Sequence, residues 1–307
     1  MKKQKPKAIL IDSSNLLHRA VWIAENVRTN VNPAYIFLTS VRKYANMFEC
    51  NNIYSVWDKR LVRGVKNYRR QAKQADYKGT RSAEKNAKVF KHEDLTTELL
   101  TKLGVKNMYP GILEADDVIS WLSKNISGGV VIVSVDQDML QLVSEKNYVY
   151  SPIKDIIIDD QNFEDTVGID LDNFIRYKSL IGDKSDNLPG VDKCGPKTAK
   201  KYIEKYEDDQ QMVEDLGETK LAPYFFNLEM IDLTVGHEKH PEDVAIYEEQ
   251  YEKLRSHDPD LEAFFKLCES LNMDAITSKR HDWEPVFDSK KLGKTLEDIV
   301  NSLDINK

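Results

Sequence analysis

Residues 130–138 have the sequence VVIVSVDQD, an apolar run that is followed at once by two aspartates. The run is rich in β-branched residues and has the length of a strand, so it predicts a buried strand. Similar runs occur earlier and later in the chain, at 8–11, 53–57 and 148–150. Helical patterns lie between or beside these runs, at 33–48, 83–103, 114–125 and 138–143. The alternation predicts an α/β domain with a mostly parallel central sheet flanked by helices.

Beyond about residue 151 the pattern changes to helices alone, at 171–181, 196–206 and 261–271. Pro196 comes directly after Gly195 and suits the first turn of a new helix. We therefore expect two parts, one at 1–151 and a helical one at 152–307. The role of residues 208–307 stays open at this point.

The charge of the chain is unevenly distributed. The 307 residues include 44 Lys and Arg against 51 Asp and Glu, a net charge of −7 that by itself argues against a polyanionic partner. Between Lys59 and Lys91, however, 12 basic residues meet only 2 acids. This segregation indicates that the basic stretch has a use of its own.

Several protein classes are excluded. The apolar run at 8–11 is too short for a signal peptide, and the run at 130–135 is too short to span a bilayer. The three cysteines are far apart and form no Cys-x-x-Cys pair, which argues against a disulfide framework or a zinc site. A reducing cytoplasm and no membrane association are expected.

Nine acids stand where strands end, where a helix begins or where a helix ends: Asp12, Asp58, Glu114, Asp116, Asp117, Asp136, Asp138, Asp183 and Asp186. An acid in such a place is often only a helix cap or a turn residue. Ligands of open parallel sheets nevertheless bind beyond the carboxyl ends of the strands, so convergence of these acids predicts a cation site. An all-carboxylate site suits Mg²⁺ or Mn²⁺, and two ions about 4 Å apart support phosphodiester cleavage.

The basic stretch directly follows Asp58 and would rise from the rim of this acidic cleft. Its basic residues recur every three to four positions, and Tyr68 and Tyr77 interleave with them. A solvated helix or a basic loop is the alternative explanation. Its place beside the acids favours binding of nucleic acid, with tyrosines that stack on bases.

Six short motifs in order along residues 8–206 resemble the 5′ nuclease (flap endonuclease) family, which includes the 5′ nuclease domain of bacterial DNA polymerase I and stand-alone phage 5′ exonucleases. The motifs are Leu10–Asn15, Val56–Asp58, Tyr77–Arg81, Glu114–Asp117, Ser134–Asp138 and Gly182–Val191. Each motif is weak alone, and the ordered set is specific. The resemblance implies a PIN-like nuclease core, a helical arch at about 60–91 and a helix–three-turn–helix motif at about 183–206.

The resemblance also implies roles for the acids. Asp12, Asp58, Glu114, Asp116 and Asp117 would surround a first Mg²⁺, and Asp136, Asp138, Asp183 and Asp186 would build the site of a second. Mn²⁺ is expected to substitute. Lys78 and Arg81, at the base of the arch, would act as catalytic residues that contact the scissile phosphate.

The remaining implied contacts are to DNA, with K⁺ as a further ligand of the hairpin in related proteins. The implied DNA-binding residues are His18, Arg60, Arg63, Lys66, Arg69, Arg70, Lys73, Tyr77, Lys193, Gly195, Lys197, Lys200 and Lys201. Three positions depart from the family pattern. Ser13 replaces a glycine, His18 replaces a stacking aromatic residue, and Lys193 replaces the first glycine of the hairpin, which weakens the expectation of K⁺.

We therefore expect a Mg²⁺-dependent 5′→3′ exonuclease and flap endonuclease that acts on branched, flapped or nicked duplex DNA and on RNA–DNA hybrid during replication or repair. No polymerase domain follows, so the enzyme would act as a monomer or through partners such as a single-strand-binding protein or a clamp. A stand-alone chain of this length most resembles bacteriophage enzymes of the host cytoplasm. A metal-dependent ribonuclease and a branched-DNA binding protein without catalysis are the alternatives.

Overall fold

The structure is a computed structural model that describes residues 5–27, 30–62, 67–69 and 83–288. Within these ranges, none of the helices combines the length and the apolar character that crossing a membrane requires.

A six-stranded sheet with the order β3-β2-β1-β4-β5-β6 forms the centre of the described structure. Its strands are β1 (Ala8–Asp12), β2 (Ile53–Val56), β3 (Lys106–Met108), β4 (Val130–Val133), β5 (Tyr148–Ser151) and β6 (Ile156–Ile158). All neighbouring pairs are parallel except the pair of β5 with β6 at the edge. The expected mostly parallel α/β sheet is confirmed. The chain order reverses beside β1, between β2 on one side and β4 on the other, and such a switch point is where ligands of this sheet type bind.

The central strands are buried on both faces. Successive side chains of a strand point to opposite faces, so Ile9 and Ile11 join one apolar cluster while Ala8 and Leu10 join another. This explains why the strands have continuous apolar runs rather than an alternating pattern. The sheet thus carries a hydrophobic core on each side.

Helices cover both faces of the sheet. The first apolar cluster includes residues of α1 (Ser13–Asn26), α2 (Pro33–Met47) and α3 (Ala83–Lys102), together with three helices from the end of the described chain, α12 (Leu261–Ser270), α13 (Asp274–Thr277) and α14 (Arg280–Phe287). The second cluster includes residues of α4 (Ala115–Asn125), the 3-10 helix at Gln137–Leu142, α5 (Phe163–Val167), α6 (Phe174–Ile181), α10 (Leu233–Lys239) and α11 (Pro241–Leu254). The chain therefore returns to the first domain after residue 208, and both layers include late helices.

A third apolar cluster lies in the helical part and joins α6 to three helices, α7 (Pro196–Lys205), α8 (Asp209–Leu216) and α9 (Glu218–Ile231). Between α6 and α7 the chain forms a small hairpin of two two-residue strands, β7 (Gly182–Asp183) and β8 (Leu188–Pro189). Gly182 has φ +73°, and a Cβ there would lie 2.4 Å from backbone atoms of β8 and of Gly190. Two helices joined by a hairpin have the arrangement expected here, but they span 174–205, because α6 precedes the expected start at about 183.

Some elements differ from the sequence prediction. Helix α1 was not predicted, because its apolar positions directly follow those of β1 and blur the change of period. The short strands β3 and β6 were also missed, and residues 137–142 form a 3-10 helix rather than an α-helix. Of the arch expected at about 60–91, residues 63–66 and 70–82 lie outside the described ranges.

Lys193 lies in the turn before α7 with φ +57°, the left-handed region that favours glycine. Lys193→Gly is therefore expected to raise the free energy of unfolding by about 0.5–1 kcal/mol, because glycine adopts this conformation without a Cβ clash. Chemical denaturation measures the change.

Asp192→Gly is the matched control, since Asp192 is the exposed neighbour and is not among the residues with positive φ. It is expected to lower stability. A loss of stability in both variants would contradict strain at Lys193.

Candidate active site

Acids from three neighbouring strands meet at the switch point of the sheet. Asp12 ends β1, Asp58 follows β2 and Asp136 follows β4. The charges of Asp58 and Asp136 both raise the pKa of Asp12, so each of these two carboxylates lies within electrostatic range of Asp12. The sheet places these three acids at the same edge, and their service as metal ligands stays a prediction.

Asp12 is the most perturbed of these acids. It is 5% exposed, and burial together with the charge of Asp58 raises its pKa from 3.8 to about 7. Its carboxylate caps α1 by accepting the N–H of Asn15 at 3.2 Å, and it accepts the hydroxyl of Ser134 at 2.7 Å. Asp12 is thus both a helix cap and a member of the acidic group.

Asp58 forms hydrogen bonds to the first turns of two helices, α1 and α4. Its backbone N–H donates to Ser14 Oγ in the first turn of α1 at 2.9 Å. Its carboxylate accepts the N–H of Ala115, the first residue of α4, at 3.3 Å. The carboxylate of Asp58 is therefore tied to the start of α4, and its backbone to the start of α1.

Arg69 holds the acids at the start of α4. Its guanidinium donates to both oxygens of Asp117, at 2.6 and 2.8 Å, and lies 3.5 Å from Glu114 Oε2. Its Nε donates to the carbonyl of Met230 at 2.9 Å, and the side chain is only 2% exposed.

The expectation that Arg69 binds DNA is therefore wrong. A charge with no compensation would be costly to bury beside the core, and the fully buried Asp117 supplies the compensation for Arg69 in a bidentate pair. The arginine organises the acidic group instead of reaching a phosphate.

A second pair of acids is bridged by Lys178 of α6. The buried ammonium of Lys178 donates to Asp138, and to Asp183 Oδ2 at 2.9 Å. Burial raises the pKa of Asp138 to about 6 although Lys178 opposes the shift. Burial acts in the same direction on Asp183, but Lys178 and the Ser185 hydroxyl outweigh it and hold its pKa at about 2.

The protonation of Lys178 follows from the same contacts. Burial lowers the pKa of its ammonium, but Asp138 and Asp183 outweigh burial and raise it above the ordinary value. Lys178 therefore stays charged and compensates part of the negative charge of the second pair.

The other expected metal ligands lie beside these groups. Asp116 is half-buried in the first turn of α4, and Asp186 is 8% exposed in the hairpin. Within the described ranges, no group of three or more His, Cys, Asp or Glu side chains is arranged so that it could hold a metal ion by itself. The ligand sets stay a prediction.

The expected DNA contacts of the helical part lie at the start of α7. Lys193, Gly195, Lys197 and Lys201 are exposed and Lys200 is half-buried. Gly195 is the N-cap of α7 with φ −86°, and a Cβ there would meet no atom within 4 Å. Neither space nor backbone conformation requires glycine at this position.

The expected contacts near the arch are only partly described. His18 is exposed on α1 and Arg60 is half-buried after β2. The predictions for Arg63, Lys66, Arg70, Lys73, Tyr77, Lys78 and Arg81 fall on residues outside the described ranges.

Sequence reasoning missed Lys178 and Ser134. Lys178 follows the buried Phe174 by four positions, so it stands on the apolar face of α6. A lysine on the apolar face of a helix is rarely buried without an acid beside it, so this position predicts a buried ion pair. Ser134 had no comparable signal, because a serine after a buried strand is common.

Asp12→Asn is expected to stabilise the protein when EDTA removes divalent ions. The folded pKa of about 7 exceeds the ordinary value of 3.8, so the penalty of ionised Asp12 grows from about pH 4 and is complete above pH 7. At pH 8 the variant should gain about 1–3 kcal/mol in the free energy of unfolding.

Urea unfolding at pH 8 and pH 4 checks this expectation, because the gain should shrink at pH 4, where Asp12 is protonated in the folded state. An asparagine variant that is less stable than the parent protein at pH 8 would contradict it.

Comparison with protein families gives two adjoining matches. Residues 7–168 match the family described as the 5′-3′ exonuclease, N-terminal resolvase-like domain. Residues 169–269 match the 5′-3′ exonuclease, C-terminal SAM fold.

Curated relatives carry the corresponding names. The chain is 30% identical over 230 residues to a 5′-3′ exonuclease of Buchnera aphidicola, covering 72% of this chain and 78% of the relative. It is 32% identical over 225 residues to the 5′-3′ exonuclease of Bacillus subtilis, and the match covers 69% of this chain and 74% of that relative. DNA polymerase I of Lactococcus lactis is 29% identical over 244 residues, which are 74% of this chain and 27% of that polymerase. These relatives are bacterial and do not support the expected phage origin.

Solved structures share the fold. T5 5′-exonuclease with divalent metal ions (zinc) bound superposes with a TM-score of 0.69 at 18% identity, covering 82% of this chain and 99% of that one. The catalytic core of Rad2 in complex with DNA substrate gives a TM-score of 0.51 at 20% identity, and the match covers 92% of this chain and 93% of that one. The two family matches together contain all nine acids of the candidate site. Because these matches cover most of its length, the chain belongs to the 5′-3′ exonuclease family.

Proposed function

We propose that the chain is a structure-specific 5′ nuclease that hydrolyses DNA where a 5′ single strand joins a duplex, and that it degrades nicked or RNA-primed duplex from the 5′ end. The observation that carries the proposal is the placement of Asp12 at the end of β1, Asp58 after β2 and Asp136 after β4, at the switch point of the sheet. Such a concentration of negative charge favours divalent cations at the place where the sheet binds ligands.

The chemistry of the donors fits Mg²⁺, with Mn²⁺ as a substitute. All candidate ligands are carboxylate oxygens, which hard cations prefer. Mg²⁺ keeps several of its waters and is commonly bound by only one or two carboxylates, so a site needs no closed cage of three protein ligands. We assign Asp12, Asp58, Glu114, Asp116 and Asp117 to one ion and Asp136, Asp138, Asp183 and Asp186 to another.

When bound, such ions activate a water molecule and stabilise the charge on the leaving oxygen. The side chains of the protein prepare the site for them. Burial and the charge of Asp58 raise the pKa of Asp12 to about 7, and a bound cation would favour the ionised form of this carboxylate. Arg69 and Lys178 fix the orientation of the carboxylates that they contact.

Lys78 and Arg81 are proposed to contact the scissile phosphate from the base of the arch, and the basic residues at 60–91 to hold the 5′ single strand. The duplex would lie along the hairpin and the start of α7, where Lys193, Lys197 and Lys201 are exposed. The positive end of the helix dipole at the start of α7 favours a phosphate there, which supports this placement.

We further propose a division of the chain into a nuclease core at 1–151 and a helical DNA-binding part at 152–307, with the later helices α10 to α14 packed against the sheet of the core. A monomer in the cytoplasm is the proposed working form, with a single-strand-binding protein or a clamp as partner and K⁺ as a ligand of the hairpin. The two adjoining family matches support a two-part chain, although they meet at residues 168 and 169.

Asp136→Ala is expected to reduce cleavage of a 5′-flap DNA with Mg²⁺ by about 100-fold or more, because a charge that supports the transition state is lost. Resolving the products by length measures both the rate and the site of cutting. Asp165→Ala, which removes an exposed acid of α5, is the control and should leave the rate unchanged.

Equal cutting by the Asp136 variant, or an intact flap with the unaltered protein, would overturn the proposal. Preferential cutting of single-stranded RNA in the same assay would support a ribonuclease instead.

Gly195→Ala tests the duplex contact separately from catalysis. Because a Cβ at this position meets no atom within 4 Å, the free energy of unfolding should change by less than about 0.5 kcal/mol. A methyl group at the N-cap would stand between the helix end and a phosphate, so the dissociation constant for flap DNA should rise about 3- to 10-fold. Fluorescence anisotropy measures binding, and unchanged affinity would contradict a contact at α7.

A further inference from the structure

Asp243, on α11 of the helical part, is fully buried and reaches across to the nuclease domain. Its carboxylate accepts backbone N–H groups from three successive residues, Gly111 at 3.0 Å, Ile112 at 2.9 and 3.1 Å and Leu113 at 3.0 Å. The hydroxyl of Tyr247, one turn further along α11, donates to the same carboxylate at 3.0 Å.

The segment that Asp243 holds is neither strand nor helix. Residues 111–113 lie between β3 and α4, so their N–H groups have no partner in the sheet or in a helix. Successive N–H groups that point to one side make a concave binding place for an anion. Here the anion is a side chain of the same protein that comes from 130 residues later in the chain.

The contact requires very close approach. A Cβ on Gly111 would lie 2.2 Å from Asp243 Oδ1, so only glycine allows the carboxylate to sit against this backbone. The contact between Asp243 and residues 111–113 therefore requires both the acid on α11 and the glycine at position 111.

The next residue after the segment is Glu114, the N-cap of α4, and Asp117 closes the first turn by accepting the N–H of Glu114 at 3.0 Å. A shift of residues 111–113 would move this first turn, together with the three acids assigned to the first metal ion. His237 of α10 contacts the carbonyl of Asp117 at 2.8 Å, so a second late helix meets the same turn.

We propose that Asp243 is a positioning residue of the metal site: it sets the place of Glu114, Asp116 and Asp117 by fixing the backbone that leads into α4. The inference rests on the proposed function, since it takes these acids as metal ligands. Groups that orient metal ligands commonly change metal affinity 10- to 100-fold when they are removed. Helix α11 would thus position acids of the nuclease core.

Gln250 provides a matched control on the same helix. Its side chain accepts the N–H of Tyr109 at 3.0 Å and donates to the carbonyl of Tyr109 at 2.8 Å. It thus ties α11 to the same connection between β3 and α4, but five residues before Glu114. Gln250→Ala removes comparable hydrogen bonds without touching the segment next to the acids.

The test measures binding of Mn²⁺ by electron paramagnetic resonance, together with the Mg²⁺ dependence of flap cleavage, in the full-length protein. Asp243→Asn places an NH₂ group against N–H donors and should weaken Mn²⁺ binding about 10-fold, with a similar rise in the Mg²⁺ concentration for half-maximal cleavage. Gln250→Ala should change both quantities by less than about 2-fold. Thermal unfolding of each variant fixes a common temperature at which all are folded.

Equal effects of the Asp243 and Gln250 variants would overturn the inference, because both would then act through general stability. Should Asp243→Asn fail to fold, Tyr247→Phe decides, since it removes one hydrogen bond to the carboxylate and leaves the three N–H contacts. It should weaken Mn²⁺ binding about 2- to 3-fold, and unchanged binding would overturn the inference. A parent protein that binds Mn²⁺ but leaves flap DNA intact would refute the proposed function. The comparison of Mn²⁺ affinities among the variants would still show whether Asp243 positions the metal ligands.

Discussion

The mutual repulsion of carboxylates at one edge of a parallel sheet constrains the rest of this molecule. The strand order puts the ends of β1, β2 and β4 side by side, and each end delivers an aspartate. Two unit charges 4 Å apart interact by about 4 kcal/mol at the effective dielectric constant near a protein surface. Such a group persists in a folded protein only when hydrogen-bond donors, helix ends and cations compensate it, and these features surround it here.

The positive charges that compensate these acids come from residues distant in sequence. Arg69 neutralises the acids at the start of α4, and Lys178 bridges Asp138 to Asp183. Each cation is buried and would be costly to bury without its acids. Acids and cations are therefore mutually dependent, which links Arg69 and helix α6 to the acids that they contact.

The fold class and the meeting of acids could be predicted because both follow from local patterns. A β-branched run that ends in an aspartate is visible in the sequence, and parallel strands align their carboxyl ends whatever the details of the loops. The role of Arg69 could not be predicted in this way, because its neighbours in sequence are basic and its partners lie 45 to 48 residues away. Its position in a charged stretch favoured a surface role, whereas its contacts place it in the interior. The task of Asp243 was hidden for the same reason, since the backbone N–H groups that it binds leave no mark in the sequence.

The long separation between Gly111 and Asp243 has a consequence for synthesis of the protein in the cell. All strands and the acids up to Asp138 leave the ribosome well before α11 does, and domains generally begin to fold in the order in which they emerge. At about 5–20 residues per second, the 132 residues between the two partners take roughly 7–26 s to be made. During this interval the nascent chain would carry the acids without the carboxylate that fixes the start of α4. The separation therefore delays completion of the proposed site until most of the chain has been synthesised.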